Sequence, residues 1–152
     1  MTNNDTLRRL RYALNIKDAQ VGKYIAKSGT PPSAAQVASW LKREEEAGYV
    51  ELSDATLCRF LDGLIIEKRG PRPDGSIPEP LEFLSNNEIL KKLRIALELR
   101  DEDMKEVFNK AEFVVHRAEL SSFFRKEGHR NYRKCPDQVL RKFLTGLSQK
   151  SE

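Results

Sequence analysis

The stretch LCRFLDGL at residues 57–64 returns as LRKFLTGL at residues 140–147, which is 83 positions later. Both copies place apolar side chains at i, i+3, i+4 and i+7, the spacing of one face of an α-helix. Both also set a glycine, Gly63 or Gly146, inside that helix, where glycine costs about 1 kcal/mol relative to alanine. The repeated glycine predicts a close approach of each helix to a neighbouring backbone.

The similarity continues well beyond this stretch. A shift of 83 positions aligns residues 3–64 with residues 86–147 without a gap, and 19 of the 62 aligned pairs are identical. Since unrelated segments would share far fewer residues, the chain is a tandem duplication. A unit of this length that occurs only twice predicts a duplicated domain and not a solenoid array.

Each copy predicts four helices. The first helix is expected to be capped by one of three polar residues, Asn3, Asn4 or Asp5. Ser33 and Gln36 form the pattern of a capping box for the third helix, and Ser53 or Asp54 begins the fourth. The predicted fold class is all-α, a tandem duplication of a four-helix unit whose two repeats pack with pseudo-two-fold symmetry. We expect the two stretches quoted above to form a shared spine on which the repeats meet.

The domain boundaries follow from a proline-rich segment. Four of the eleven residues at positions 70–80 are proline, which removes backbone donors and keeps the chain extended. We therefore assign residues 1–69 to helical repeat 1, residues 70–84 to a linker and residues 85–152 to helical repeat 2.

Composition narrows the class of protein. The chain has 152 residues with 27 Lys and Arg against 23 Asp and Glu, and this balance permits nucleic acid as a partner without requiring it. No apolar run approaches the roughly 20 residues that cross a bilayer, and residues 1–15 lack the apolar core of a signal peptide. We expect a cytoplasmic protein without a membrane partner, in which Cys58 and Cys135 are reduced thiols.

Charged residues at matched positions predict structural ion pairs. Arg11 and Arg94 each lie one helical turn from a core leucine, and a charge beside a core needs a hydrogen-bonding partner. The candidate carboxylates are also matched between the copies, as Asp18 with Asp101 and Asp54 with Asp137. Because this set is common to both repeats, we interpret it as scaffold; the alternative is that the arginines bind an anion.

The copies differ most in charge between the third and fourth helices. Residues 42–51 read KREEEAGYVE, whereas residues 125–134 read RKEGHRNYRK. Cations around one aromatic ring are typical of single-stranded nucleic acid sites. The best hypothesis is therefore a nucleic-acid-binding basic loop formed by Arg125, Lys126, Arg130, Tyr132, Arg133 and Lys134.

Other interpretations of this loop stay open. It could be a solvated surface loop, or it could pair with the acidic residues 44–46 of the same chain or of a dimer partner. The alternative function is therefore a protein-interaction adaptor or a homodimer that uses the complementary acidic and basic loops. Residues 113–115, Phe-Val-Val where the first copy has Thr-Pro-Pro, offer an apolar docking surface unless they pack under the neighbouring repeat.

The sequence contains no catalytic constellation. Ser39 and Ser122 are matched but lie in no nucleophile elbow, and nucleotide-binding glycine motifs are absent. His116, His129 and Cys135 lack the short paired spacings of a zinc site. We expect a non-catalytic protein with no metal and no cofactor.

Several longer motifs are shared with a known family. They are LRRLRYAL at 7–14 with its echo LKKLRIAL at 90–97, WLKREE at 40–45, FLDGLIIEKRG at 60–70 and CPDQVLRKFLTGL at 135–147. Through these motifs the chain resembles the small bacterial YehS-like family of unknown function over nearly its full length. The resemblance implies a duplicated helical, cytoplasmic protein and supplies no catalytic residues.

Overall fold

A computed structural model describes residues 1–149; residues 150–152, the end of predicted repeat 2, lie outside the described residues. The described chain folds into eight α-helices without a strand. No helix in this part of the chain is long and apolar enough to span a membrane. The helices are α1 Asn3–Ala13, α2 Asp18–Ser28, α3 Ala34–Leu41, α4 Asp54–Arg69, α5 Asn86–Ala96, α6 Asp101–Lys110, α7 Arg117–Phe123 and α8 Asp137–Ser148. The predicted all-α, two-copy organisation is confirmed.

The two copies keep the same register, so that α1–α4 recur as α5–α8, and two residues 83 positions apart are here called counterparts. Hydroxyl side chains cap corresponding helices. Thr2 accepts a hydrogen bond from the backbone of Asp5 at the start of α1, and Ser85 accepts one from Glu88 at the start of α5. The expectation of a cap among residues 3–5 is wrong, because these residues already lie inside the helix.

The third and fourth helices begin as the sequence predicts. Ser33 and Gln36 form a reciprocal capping box at the start of α3, and the Ser53 side chain accepts a hydrogen bond from the Thr56 backbone at the start of α4. Satisfying these amide groups fixes where each helix begins.

The repeated glycines lie where two helices touch through their backbones. A Cβ atom on Gly63 would overlap the carbonyl oxygen of Tyr24 in α2, and one on Gly146 would overlap that of Val107 in α6. The predicted close approach is confirmed. It joins α4 to α2 and α8 to α6, and it therefore lies within each repeat.

The expectation that α4 and α8 form a shared spine between the repeats is wrong. The repeats meet mainly through α4 against α5 and through α1 against α8. These two contacts, called here the α4–α5 interface and the α1–α8 interface, exchange with each other when each helix is replaced by its counterpart. This exchange is the pseudo-two-fold relation. Periodicity shows which face of a helix is apolar but not which helix covers it.

Buried side chains from both repeats form one continuous core. The counterparts Phe60 and Phe143 each contact a ring from the second helix of their repeat, Tyr24 at 6.0 Å and Phe108 at 5.4 Å between centroids, although Tyr24 and Phe108 are not themselves counterparts. Helix α3 contributes only Val37 as a fully buried residue. Helix α3 consequently lies at the edge of the core. Helix α7 buries Leu120, Ser122 and Phe123, and residues 125–131 after it are exposed.

Candidate nucleic-acid interface

A surface groove of about 830 Å³ lies between the start of α7 and the basic loop predicted from the sequence. Arg117 enters it from α7, and Arg125, Arg130 and Arg133 enter it from the loop. All four side chains are exposed, and within residues 1–149 none of them forms an ion pair. Glu119 also lines the groove but forms no ion pair with these side chains, so this basic groove presents four guanidinium groups and one carboxylate.

The structure brings only some of the predicted loop residues into the basic groove. Arg125, Arg130 and Arg133 line it, whereas Lys126 and Lys134 are exposed outside it. Tyr132 is half-buried beside the groove, and burial together with the nearby Glu127 raises the pKa of its phenol. The ring that the sequence assigned to base stacking is therefore not presented in the groove.

The start of α7 was not assigned to this site from the sequence. His116 and Arg117 line the groove from the start of α7, eight or more positions before the loop. Their counterparts in the first repeat are Ser33 and Ala34, both uncharged. The same comparison between copies that singled out the loop would have found this change.

The first repeat has a similar loop backbone but lacks three of the four arginine charges that line the basic groove. Lys42, the counterpart of Arg125, is the only cation that remains at the positions of the four arginines, because the other counterparts are Ala34, Ala47 and Val50. The Lys42 ammonium group donates a hydrogen bond to the Ala47 carbonyl at 2.8 Å and so closes its own loop. Both loops return to the preceding helix in the same way, since Val50 and Arg133 donate backbone hydrogen bonds to Ser39 and Ser122.

A buried asparagine holds both ends of the basic loop. The Asn87 side-chain amide donates to the carbonyls of Phe123 at 3.1 Å and Arg133 at 2.8 Å, and its oxygen accepts from the Cys135 backbone at 2.9 Å. Asn4 makes the equivalent bonds to Trp40, Val50 and Leu52 in the first repeat. The backbone of the loop therefore has fixed ends before any ligand arrives.

We expect Asn87→Ala to lower the free energy of unfolding by roughly 3 kcal/mol, because three buried polar groups lose their partner. The variant should also be cleaved faster by trypsin within residues 125–134. Chemical denaturation followed by circular dichroism and limited proteolysis measure the two effects.

The matched control is Asn4→Ala, which removes the same clamp from the first repeat. This variant should be destabilised to a similar extent while the basic loop keeps its resistance to trypsin. Equal cleavage of the basic loop in both variants would contradict the role given to Asn87.

The predicted scaffold residues fall into two groups in the structure. Arg11 lies 3.7 Å from Asp18, and Arg94 lies 2.7 Å from Asp101. Arg94 also donates to the Leu99 carbonyl at 3.1 Å. The aspartates are exposed and the arginines partly exposed, so both pairs lie at the surface and not inside the core. Surface pairs of this kind contribute up to about 1 kcal/mol.

The other two aspartates lie against asparagine side chains and not against Arg11 or Arg94. Asp54 accepts a hydrogen bond from Asn3 at 2.6 Å, and Asp137 accepts one from Asn86 at 2.7 Å. Asn3 and Asn86 also donate to the carbonyls two residues before these aspartates. This pairing joins the first helix of each repeat to the start of its fourth.

Of the alternative docking surfaces, the apolar segment 113–115 is partly exposed and the acidic residues 44–46 are exposed. Phe113 packs against Phe108 with ring centroids 6.0 Å apart, Val115 is buried, and Val114 is 70% exposed. Within residues 1–149 the acidic residues 44–46 form no ion pair with the basic loop, and the Glu46 side chain accepts from the Arg43 backbone at 3.0 Å.

The nucleophilic side chains are occupied or buried. Ser39 donates to the Gln36 carbonyl at 2.6 Å, and Ser122 donates to the Glu119 carbonyl at 2.5 Å. Both cysteines are buried without a disulfide, and burial raises the pKa of Cys135 to about 12, with a smaller contribution from the Asp137 charge. Among residues 1–149 no three His, Cys, Asp or Glu side chains cluster to hold a metal ion.

Comparison with known proteins identifies relatives. A family model described as protein of unknown function (DUF1456) matches residues 3–70 and again residues 86–151, so it matches each repeat separately. The uncharacterized protein YehS of Escherichia coli (strain K12) is 38% identical over 148 residues, which cover 97% of this chain and 95% of that protein. No solved structure shows significant similarity.

Proposed function

The chain belongs to the DUF1456 family of proteins of unknown function, and from that premise we propose that it is a non-catalytic protein that binds nucleic acid in the cytoplasm. The observation that carries the proposal is the basic groove. Its four arginines, Arg117, Arg125, Arg130 and Arg133, converge on one opening and have no carboxylate partner within residues 1–149.

Guanidinium groups suit phosphate because their planar forks donate two parallel hydrogen bonds to its oxygens. Several such groups along one groove match the repeated phosphates of a nucleic acid backbone better than they match a single small anion. Asn87 fixes the ends of the loop backbone, so the loss of conformational freedom on binding falls mainly on the exposed arginine side chains.

The internal comparison supports a role in binding over a role in folding. The first repeat folds its equivalent loop with alanine or valine at three of the four arginine positions. The arginines are therefore not needed to form the loop. A non-catalytic role is supported by the serine hydroxyls, which are already hydrogen-bonded, and by the buried thiols.

The proposal predicts that the double variant Arg130→Gln/Arg133→Gln binds nucleic acid at least about tenfold more weakly, since each charge-assisted hydrogen bond contributes roughly 1.5 to 3 kcal/mol. Fluorescence anisotropy with labelled single-stranded RNA and DNA measures the affinity at low salt. Both side chains are exposed, so the melting temperature should change little.

The control is Lys23→Gln/Arg100→Gln, which removes the same net charge from exposed positions outside the groove. It should bind nearly as tightly as the wild type. Equal weakening in both double variants would show that only net charge matters and would contradict a defined site.

If the wild type binds no nucleic acid at low salt, the proposal is wrong. Light scattering then tests the alternative, an adaptor or a homodimer through the acidic and basic loops.

A further inference from the structure

The two interfaces between the repeats are related by the pseudo-two-fold axis, but they differ in their charges. In the α4–α5 interface the Lys92 ammonium lies 2.6 Å from the Asp62 carboxylate, which is only 3% exposed. The counterparts of Lys92 and Asp62 in the α1–α8 interface are Arg9 and Thr145. The second interface therefore keeps the cation and lacks the carboxylate.

Thr145 does not take over the role of the missing carboxylate. Its hydroxyl donates to the Arg141 carbonyl of its own helix at 2.9 Å. Arg9 is exposed and forms no ion pair with any residue in the range 1–149. The α1–α8 interface therefore has a cation, Arg9, that lacks the carboxylate partner which Lys92 has in the α4–α5 interface.

A groove of about 520 Å³ opens at this place, and it is called here the α1–α8 groove. Arg9, Arg43 and Tyr12 line it together with Thr145, and Tyr12 is 74% exposed. Asp5 and Arg8 also line it and form an ion pair with each other. Arg43 is likewise exposed and without an ion pair in the described chain. The corresponding opening in the α4–α5 interface is lined by α4 and α5 and in part by linker residues, among them Pro78, whereas no linker residue lines the α1–α8 groove.

We propose that the α1–α8 groove is a second contact site for single-stranded nucleic acid, with a base stacked on Tyr12 and phosphates held by Arg9 and Arg43. This inference rests on the function proposed above. The Asp62 carboxylate in the α4–α5 interface marks the position that a phosphate takes in the α1–α8 groove. An exposed aromatic ring beside arginines is the arrangement that single-strand sites use, because every base offers a face for stacking. Tyr12 thereby supplies the stacking ring that Tyr132, half-buried beside the basic groove, does not present.

The stacking contact is tested with Tyr12→Ala, which should weaken binding of a labelled oligothymidylate about tenfold. Tyr12→Phe keeps the ring and should bind like the wild type. The matched control is Ile95→Ala, since Ile95 is the counterpart of Tyr12 and is also exposed; it should leave the affinity unchanged. An unchanged affinity in Tyr12→Ala, or an equal loss in Tyr12→Phe and Tyr12→Ala, would overturn the stacking role.

The anion position is tested with Thr145→Asp, which restores the carboxylate that the other interface has. It should pair with Arg9, keep or raise the melting temperature, and weaken binding of the oligothymidylate about tenfold, as expected for the loss of one charge-assisted contact. Wild-type affinity in Thr145→Asp would overturn the site.

The two proposals can fail separately. This inference alone fails if the wild type binds and Arg130→Gln/Arg133→Gln weakens binding, while the Tyr12 and Thr145 variants bind like the wild type. If the wild type does not bind, the proposed function fails with it.

Discussion

Gly63→Ala is expected to lower the free energy of unfolding by roughly 3 kcal/mol, the cost of forcing extra atoms into a packed contact. The added Cβ would overlap the Tyr24 carbonyl, which is backbone and cannot rotate away, so α4 and α2 must move apart. The intrinsic preference of helices for alanine over glycine, about 1 kcal/mol, acts in the opposite direction and is too small to offset the clash. Denaturant unfolding followed by circular dichroism measures the change.

Gly22→Ala is the matched control, since Gly22 also lies inside a helix. A Cβ there would meet only Val37 and Pro32 side chains at 3.5 and 3.8 Å, which is ordinary contact. This variant should be as stable as the wild type or more stable by up to about 1 kcal/mol. Similar stabilities for the two variants would show that α4 and α2 do not meet through their backbones as described.

Lys92→Met is expected to destabilise the protein by about 3 to 5 kcal/mol, because it leaves the buried Asp62 charge without its partner. Replacing both residues, as Asp62→Leu/Lys92→Met, should return the stability close to that of the wild type, since apolar pairs of similar volume replace buried ion pairs at little cost. The control is Arg9→Met, at the counterpart of Lys92. Because Arg9 is exposed and forms no ion pair within residues 1–149, this variant should have nearly the stability of the wild type. A double-variant cycle in urea gives the coupling energy, and a value near zero would contradict the buried pair.

Local features of the sequence predicted local features of the structure. The leucine spacing defined the buried faces, Ser33 and Gln36 defined a helix start, and the repeated Gly63 and Gly146 predicted a close backbone contact. Each of these signals is contained in a few neighbouring residues. The duplication then transferred the same prediction to the second repeat.

Long-range features were harder to predict. Asn4 was expected to cap a helix because asparagine caps well, but it is buried and joins α1 to a loop nearly fifty residues away. The composition of α4 and α8 did not reveal that α5 and α1 cover them. The sequence predicted the loop side of the basic groove, because the charge of the loop differs between the two copies. It did not predict the other side, where Arg117 lies on α7.

The salt dependence of nucleic acid binding tests the proposed function most directly. If the four arginines of the basic groove contact phosphates, the logarithm of the association constant for a single strand should fall with the logarithm of salt concentration with a slope of about −3 or steeper. The Arg130→Gln/Arg133→Gln variant should show a slope shallower by about 1.4. A wild-type slope near zero, or the same slope in both proteins, would contradict phosphate binding in the groove.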